Sequence, residues 1–299
     1  MHSYEFLFNS LSNPSKDLMK KNLSVASLVA LTFCFYLITG FLPSCKKDSS
    51  VKLPQRNKLA DVTAVLKPVT AVVNNQTGGY YVILPSDYDS ISDKFPLLLS
   101  IAGAGQFGNG SNELPLLLKD GPTHIADAKN FPGTFTVNGS TTSLIVFTPQ
   151  FKTFPSTGDL NDCIEYARKN YRIDASRIYV AGFSIGGVEV VNIGAESPLK
   201  IAAIVPMAGV PQDYATTTKC QVIAAANLPV WAFHSEDDPQ INVNWTKGFI
   251  SKIASYNPPV APKLTLWSYG GHDAWTRAVD PSYKENGLNI YEWMLQYHR

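Results

Sequence analysis

The stretch of residues 179–187 constrains the fold more than any other part of the sequence. It reads Tyr-Val-Ala-Gly-Phe-Ser-Ile-Gly-Gly and joins an apolar run to a segment with helical spacing. The glycines two residues before and after Ser184 leave room for a sharp strand-to-helix turn, which exposes the serine hydroxyl above a sheet. A nucleophilic serine also needs a base, an acid that orients the base and donors for an oxyanion. The rest of the sequence has to supply them.

Short apolar runs alternate with helical segments along most of the chain. Residues 96–101, 201–207 and 228–233 are largely apolar throughout, as expected of strands that are buried on both faces of a sheet. The alternation predicts an α/β fold with a mostly parallel central sheet, helices on both faces and an antiparallel hairpin at its start. We expect one domain over residues 61–299.

The pattern also predicts bounds for the individual elements. Strands are expected at 69–73 and 79–84, joined by a hairpin turn, and at 96–101, 143–148, 178–181, 201–207, 228–233 and 263–269. Helices are expected near 113–119, 160–171, 188–195 and 288–297.

The first 60 residues carry targeting signals. Lys20 and Lys21 precede an almost unbroken apolar run over 23–42, and Leu-Pro-Ser-Cys45 ends it. The segment resembles a bacterial lipoprotein signal, which implies that Cys45 is lipidated and becomes the mature N-terminus. We therefore assign residues 1–45 to a signal region and 46–60 to a flexible tether.

Two points about this region stay open. Residues 1–18 are either an upstream start-codon artefact or a real extension. A single transmembrane anchor is the alternative to lipidation, because residues 23–42 are just long enough to span a bilayer. Both alternatives predict an exported protein that is anchored to a membrane, in the periplasm or at the cell surface.

Composition excludes several classes of function. The formal net charge of +1 gives no basic field for nucleic acid. The sequence has no Cys-x-x-Cys motif or Cys/His cluster, so we predict neither a metal site nor a cofactor. Outside the signal region Cys163 and Cys220 remain, and they either form a disulfide or stay as buried thiols. The sequence does not indicate an oligomeric state.

Two later loops supply the partners that Ser184 needs. Residues 234–239, His-Ser-Glu-Asp-Asp-Pro, follow one predicted strand, and His272 follows the next. Parallel strands end at one edge of a sheet, so both loops are expected to meet Ser184 there. The order serine, carboxylate, histidine is that of the α/β-hydrolase triad. Ser184 would be the nucleophile and His272 the base, oriented by the carboxylate.

Three motifs resemble one family. They are residues 173–187, residues 229–239 and Gly-His-Asp-Ala-Trp at 271–275. Together they are similar to the esterase and polyhydroxybutyrate-depolymerase-like branch of the α/β hydrolases, which includes feruloyl and acetyl-xylan esterases. The resemblance extends from about residue 80 to the C-terminus. It places the acid four residues after His234, which favours Asp238 over Asp237 and Glu236.

Two positions depart from the family pattern. Ala102-Gly103 stands where the family often has His-Gly, and Ser235 stands where a glycine is usual. Oxyanion donors are backbone N–H groups, so the loss of the histidine side chain need not remove them. We assign the donors to Ile185 and Ala104, with Gly105 or Gln106 as alternatives to Ala104.

The remaining polar and aromatic candidates have structural explanations as well. His234 is interpreted as structural, Glu236 and Asp237 as solvated loop carboxylates, and Glu189 as helix surface or a local hydrogen bond. Phe107 and Trp275 are assigned to substrate binding, with half-buried packing as the alternative.

The sequence thus predicts a serine carboxylic-ester hydrolase that forms an acyl-enzyme. The resemblance implies small carboxylic esters or esters of plant polysaccharides as substrates. One alternative is a serine peptidase of the prolyl-oligopeptidase type, although no propeller-like region precedes the domain. The other is a surface binding protein that kept the fold without catalysis.

Overall fold

The computed structural model describes residues 46–47 and 62–299 of the chain. The strands are β1 Lys46–Lys47, β2 Ala64–Val69, β3 Thr77–Pro85, β4 Phe95–Ile101, β5 Phe135–Val137, β6 Ser140–Thr142, β7 Ile145–Phe151, β8 Ile173–Phe183, β9 Ala203–Met207, β10 Trp231–Ser235, β11 Lys263–Trp267 and β12 Tyr297–His298. The α-helices are α1 Gly121–Asp127, α2 Thr157–Asn170, α3 Ile185–Glu196, α4 Lys219–Ala225, α5 Val243–Ala254, α6 Trp275–Ala278 and α7 Ile290–Met294. Short 3₁₀ helices lie at Tyr88–Ser90, Ala104–Gln106, Leu114–Lys119 and Tyr214–Thr216.

Within the described residues, eight strands form the central sheet, in the order β11-β10-β9-β8-β4-β7-β3-β2. Strands β4 and β7 to β11 run parallel to one another. Strand β3 pairs antiparallel with β7, and β2 pairs antiparallel with β3. The predicted fold class is confirmed: the sheet is mostly parallel and carries an antiparallel hairpin at its start.

The sheet separates two hydrophobic cores. Along β8, Ile178 and Val180 point into one core, while Tyr179 and Ala181 point into the other. The first core is covered by α2, α3, α4 and α5, and the second by α1, α6 and α7. Burial on both faces explains why the central strands read as continuous apolar runs.

The first strand lies earlier than predicted. Residues 69–73 are expected to be a strand, whereas β2 spans Ala64–Val69. A proline inside a run argues against a central strand, but Pro68 is tolerated in β2 because β2 is the edge of the sheet. Asn74 then turns the chain, since its side-chain oxygen accepts hydrogen bonds from the backbone N–H groups of Gln76 and Thr77.

Helix α2 begins three residues before the predicted start at residue 160. Ser156 caps it in a capping box with Asp159, in which each side chain accepts a hydrogen bond from the other residue's backbone N–H. The apolar spacing from which the helix was predicted starts only after this polar first turn.

Other bounds differ by a few residues. Strand β10 includes His234 and Ser235, and β11 ends at Trp267. The segment 113–119 is a 3₁₀ helix from Leu114, and the C-terminal helix shortens to α7. Helices α1, α4, α5 and α6 and the small β5–β6 hairpin were not predicted.

The two cysteines of the predicted domain are free thiols. Cys163 and Cys220 are both buried and unpaired, so the thiol alternative holds. Burial raises the pKa of Cys163 to about 12 and that of Cys220 to about 11.

The signal region with Cys45 lies outside the described residues, as does the tether apart from Lys46–Lys47. The backbone of Lys46–Lys47 pairs antiparallel with β12. In the part of the chain that the structure describes, we find no helix of the length and hydropathy that a bilayer crossing requires.

Candidate active site

The loops that follow β4, β8, β10 and β11 meet at one edge of the sheet, because these strands are parallel. Each loop carries one of the residues predicted for the site: Ala104, Ser184, Asp238 and His272. The structure brings Ser184, Asp238 and His272 into one hydrogen-bonded series.

Ser184 occupies the sharp turn between β8 and α3. Its φ of 54° and ψ of −124° are unusual for a residue with a side chain, so the turn is strained. A Cβ on Gly186 would lie 2.2 Å from the carbonyl oxygen of Ile101, and one on Gly209 would lie 2.2 Å from that of Ser184. Glycine is therefore required at position 186, in the turn itself, and at position 209, in the segment that packs against the turn. The motif predicted the need for Gly186, whereas nothing in the sequence indicated Gly209.

His272 connects the serine to the acid. Its Nε2 lies 2.9 Å from Ser184 Oγ, and its Nδ1 lies 2.8 Å from Asp238 Oδ2. An ionised carboxylate only accepts hydrogen bonds, so Nδ1 carries the proton and Nε2 is left to accept from the serine hydroxyl. This is the tautomer that a general base needs in order to take the proton of Ser184.

Asp238 is held as a carboxylate. Its side chain is fully buried, which by itself raises its pKa. Hydrogen bonds from His234 and His272, and from the backbone N–H groups of Gln240 and Ile241, outweigh that effect and hold the pKa of Asp238 well below its usual range. The acid therefore carries its charge at any pH at which the imidazole can act.

His234 contacts the acid directly. Its Nε2 lies 3.0 Å from Asp238 Oδ2 and 3.0 Å from the carbonyl oxygen of Ile241. Both partners are acceptors, so Nε2–H donates, and Nδ1 lies 2.7 Å from the hydroxyl of Thr246. His234, which was interpreted as structural, therefore donates to the same oxygen of Asp238 as His272 does.

The neighbouring carboxylates have separate contacts. Asp237 accepts hydrogen bonds from the backbone N–H groups of Gly271 at 2.8 Å and Gly270 at 3.3 Å. It is exposed, as predicted, but it also fastens the loop that carries His272. Glu236 is exposed and pairs with Lys247 at 3.1 Å. The hydroxyl of Ser235 is buried without a hydrogen-bond partner in the described part of the chain.

The predicted oxyanion donors lie at the start of two helical turns. Ile185 is the first residue of α3, and Ala104 is the first residue of the 3₁₀ helix after β4. The first N–H groups of a helix have no partner inside it. Of the alternatives, Gln106 already donates its N–H to the carbonyl of Gly103, so Gly105 is the more open one. The donor roles themselves remain predictions.

The two aromatic residues assigned to substrate binding pack against the protein. Trp275 stacks on Phe183 with ring centroids 4.6 Å apart and lies 5.2 Å from His272. Phe107 meets Phe154 edge-on at 5.5 Å, and Phe154 is 48% exposed. Both contacts support the packing alternative, and the exposed face of Phe154 leaves an aromatic surface open at this end of the sheet.

Glu189 in α3 is buried, so its interpretation as helix surface was wrong. Burial raises its pKa to about 7, and the amide of Asn192 donates to it over 3.4 Å. Glu189 therefore forms a local hydrogen bond within α3, which is the other interpretation given for it from the sequence. Among the residues described, no cluster of three or more histidine, cysteine or acidic side chains is placed to hold a metal ion.

A mostly parallel sheet, a serine on a strand-to-helix turn, and an acid and a histidine after later strands are the features of the α/β-hydrolase fold. The family described as Phospholipase/Carboxylesterase matches residues 150–281. That match spans the serine, acid and histidine loops together.

Individual proteins are similar over larger parts of the chain. A bifunctional acetylxylan esterase/xylanase from Neocallimastix patriciarum is 27% identical over an alignment of 209 residues, and the match covers 64% of this chain and 28% of that protein. The crystal structure of a thermostable esterase has a TM-score of 0.57 at 22% identity and covers 80% of this chain and 63% of its own. The feruloyl esterase module from Clostridium thermocellum has a TM-score of 0.54 at 16% identity, over 71% of this chain and 82% of its own. The structural matches show the fold, and the sequence matches support its esterase branch.

Proposed function

We propose that this protein is a serine carboxylic-ester hydrolase. The observation that carries the proposal is the continuous series of hydrogen bonds from Asp238 through His272 to Ser184 Oγ. A serine hydroxyl is a weak nucleophile until a base removes its proton, and this geometry provides that base in the correct tautomer.

Acylation begins when His272 Nε2 takes the proton of Ser184 as Oγ attacks the ester carbonyl carbon. The negative charge that develops on the carbonyl oxygen faces the N–H groups of Ile185 and Ala104. Asp238 remains ionised and stabilises the imidazolium that forms. The tetrahedral intermediate collapses as His272 returns the proton to the leaving alcohol.

Deacylation repeats the same steps with water. His272 takes a proton from the water as the water attacks the acyl-enzyme, and it then returns the proton to Ser184 Oγ. The products are a carboxylic acid and free enzyme. Every proton transfer and every charge stabilisation in this route is carried out by a group of the protein or by water.

The substrates that we propose are small carboxylic esters, including acetyl and feruloyl esters of plant polysaccharides. The proposal is supported by relatives named as an acetylxylan esterase/xylanase and a feruloyl esterase module. The partly exposed Phe154, packed on Phe107, offers an aromatic face to an acyl group or a sugar ring. The peptidase alternative receives no comparable support, and the intact hydrogen-bonded series speaks against a binding protein without catalysis.

A panel of p-nitrophenyl esters from acetate to octanoate, together with methyl ferulate, tests the activity. We expect turnover by the wild type and a loss of about 10⁴-fold or more in kcat for Ser184→Ala, because the nucleophile is removed. Ser197→Ala, which changes a serine just after the other end of the same helix, is the matched control and should retain activity. Undiminished turnover by Ser184→Ala would sink the mechanism.

We also propose that the protein is exported and anchored to a membrane through lipidated Cys45. The support is the basic start, the apolar run and the Leu-Pro-Ser-Cys sequence at residues 42–45. Cys45→Ser, or treatment of cells with globomycin, should block maturation and leave the unprocessed precursor. Cys34→Ser, in the apolar run, is the matched control and should mature normally. Unchanged processing and membrane association of Cys45→Ser would instead indicate a transmembrane anchor.

A further inference from the structure

Asp120 lies between two of the loops that form the site. Its Oδ1 accepts a hydrogen bond from Trp275 Nε1 at 3.0 Å, and its Oδ2 accepts one from Gln106 Nε2 at 2.5 Å. Both oxygens of the carboxylate are therefore occupied, each by a different loop. Hydrogen bonds to an ionised acceptor are stronger than neutral ones, so this half-buried carboxylate is a firm connection.

On one side, the connection reaches the turn that contains Ala104. Gln106 is buried and ends this turn, where its N–H donates to the carbonyl of Gly103 and its own carbonyl accepts from Gln150 Nε2 at 3.1 Å. Its side chain is the part that Asp120 holds. A shift of Gln106 would therefore move the N–H groups of Ala104 and Gly105.

On the other side, the connection reaches the histidine. Trp275 stacks on Phe183, the residue before Ser184, and its ring stands edge-on to the imidazole of His272. A shift of Trp275 would therefore disturb both the strand that leads to the nucleophile and the base.

We infer that Asp120 is a positioning residue that couples the oxyanion turn to the histidine loop. It does so in a chain where Ala102 stands in place of the histidine that the family often has beside this turn. The inference rests on the proposed ester hydrolysis, because the coupling serves the geometry of the tetrahedral intermediate. Asp120 itself acts through Gln106 and Trp275.

Removing the connection should affect turnover more than binding. A misplacement of about 1 Å in a catalytic group can cost about 100-fold in rate, whereas substrate contacts elsewhere in the cleft are unchanged. For Asp120→Ala we expect kcat to fall by about 10- to 100-fold, with KM within about threefold of the wild type. Asp127→Ala, at the exposed other end of α1, is the matched control and should leave both constants unchanged.

Two further variants separate coupling from a general loss of structure. Asp120→Asn can keep both bonds, since its oxygen accepts from Trp275 and its amide donates to Gln106 once the glutamine amide turns over. It should recover most of the lost kcat. Trp275→Phe keeps the stacking ring but lacks the Nε1 donor, so it should lower kcat without raising KM. The double variant with Asp120→Ala should then be less impaired than the product of the two single effects.

The outcomes distinguish this inference from the proposed function. If the wild type turned over no ester, the proposed function would fail, and the coupling would be read from the rate at which a fluorophosphonate labels Ser184. Labelling of Asp120→Ala more slowly than wild type, restored in Asp120→Asn, supports the coupling in either case. It is overturned if Asp120→Ala keeps kcat and the labelling rate within twofold. It is also overturned if Asp120→Ala and Asp120→Asn both lose thermal stability and kcat falls in both in proportion to that loss.

Discussion

A single carboxylate oxygen serves two imidazoles in this site. Asp238 Oδ2 accepts from His272 on the side of the nucleophile and from His234 on the side of the core. Its other oxygen accepts from two backbone N–H groups, so the buried charge is fully satisfied. The acid is thus fixed in place before the base needs it.

His234→Leu should weaken both stability and catalysis, since it fills most of the volume of the imidazole but removes the donor. A hydrogen bond to a charged group contributes about 1.5–3 kcal/mol, so we expect a loss of about 2 kcal/mol in the free energy of unfolding at neutral pH. Turnover should fall by about tenfold as Asp238 loses its anchor. Urea unfolding and ester kinetics measure the two effects.

The pH dependence of this stability loss has a defined sign. Because the pKa of Asp238 is lowered in the folded protein, its stabilising contribution is fully present above the ordinary carboxyl pKa of about 3.9 and is lost as the pH falls through the lower folded-state value. Without His234 the pKa of Asp238 is lowered less. The difference in the free energy of unfolding between the wild type and His234→Leu should therefore be largest near neutral pH and become smaller as the pH falls below about 4. A gap that widened in acid would contradict this assignment.

The site residues that could be predicted from the sequence are those whose place depends on local spacing. Ser184, Asp238 and His272 each lie just beyond the end of a strand, so their order and position could be read from the chain. The contacts of His234, Asp237 and Asp120 depend on how separate loops pack. No periodicity or motif in one sequence encodes such contacts.

At the scale of elements, the acid loop supports the histidine loop twice. Asp238 orients the ring of His272. Asp237 accepts hydrogen bonds from the backbone N–H groups of Gly270 and Gly271, the two residues before His272. Both glycines have positive φ, and because glycine has no Cβ this stretch of backbone could adopt other conformations without such a restraint. One loop therefore fixes both the side chain and the main chain of the next.

Asp237→Ala should loosen the histidine loop without removing any triad group. We expect faster hydrogen exchange at the amides of Gly270 and Gly271, and a fall of about tenfold in kcat because His272 is less well placed. Hydrogen-exchange mass spectrometry and ester kinetics check these effects. Glu236→Ala, at the adjacent exposed position, is the control and should resemble the wild type. Equal behaviour of the two variants would refute the role of Asp237.

Element types were predicted better than element ends. Continuous apolar runs identified the buried strands, because a strand covered on both faces needs apolar residues on both. The ends are set by polar contacts that such patterns omit, such as the Ser156–Asp159 capping box and the Asn74 turn. Pro68 shows the converse case, in which an unfavourable residue is accepted because it lies on an edge strand.

At the scale of the whole molecule, the two faces of the sheet form the hydrophobic cores, and one edge of the sheet carries the site. Helices α2 to α5 cover one core, and α1, α6 and α7 cover the other. The loops at the carboxyl ends of the parallel strands are left to carry the site. The alternation of strands and helices made this architecture predictable. Helix α4 was not predicted because it is only seven residues long, whereas α5 has the amphipathic spacing of a helix, with Phe249, Ile250 and Ile253 buried, and was missed.

The two buried thiols bear on how this domain can be produced. Cys163 and Cys220 are enclosed in the core, and burial keeps them protonated, so they are poor partners for thiol exchange. Residues 62–299 therefore have the same covalent framework in a reducing cytoplasm and in an oxidising medium. A recombinant host needs no oxidoreductase to fold them, and added reductant should not lower their melting temperature.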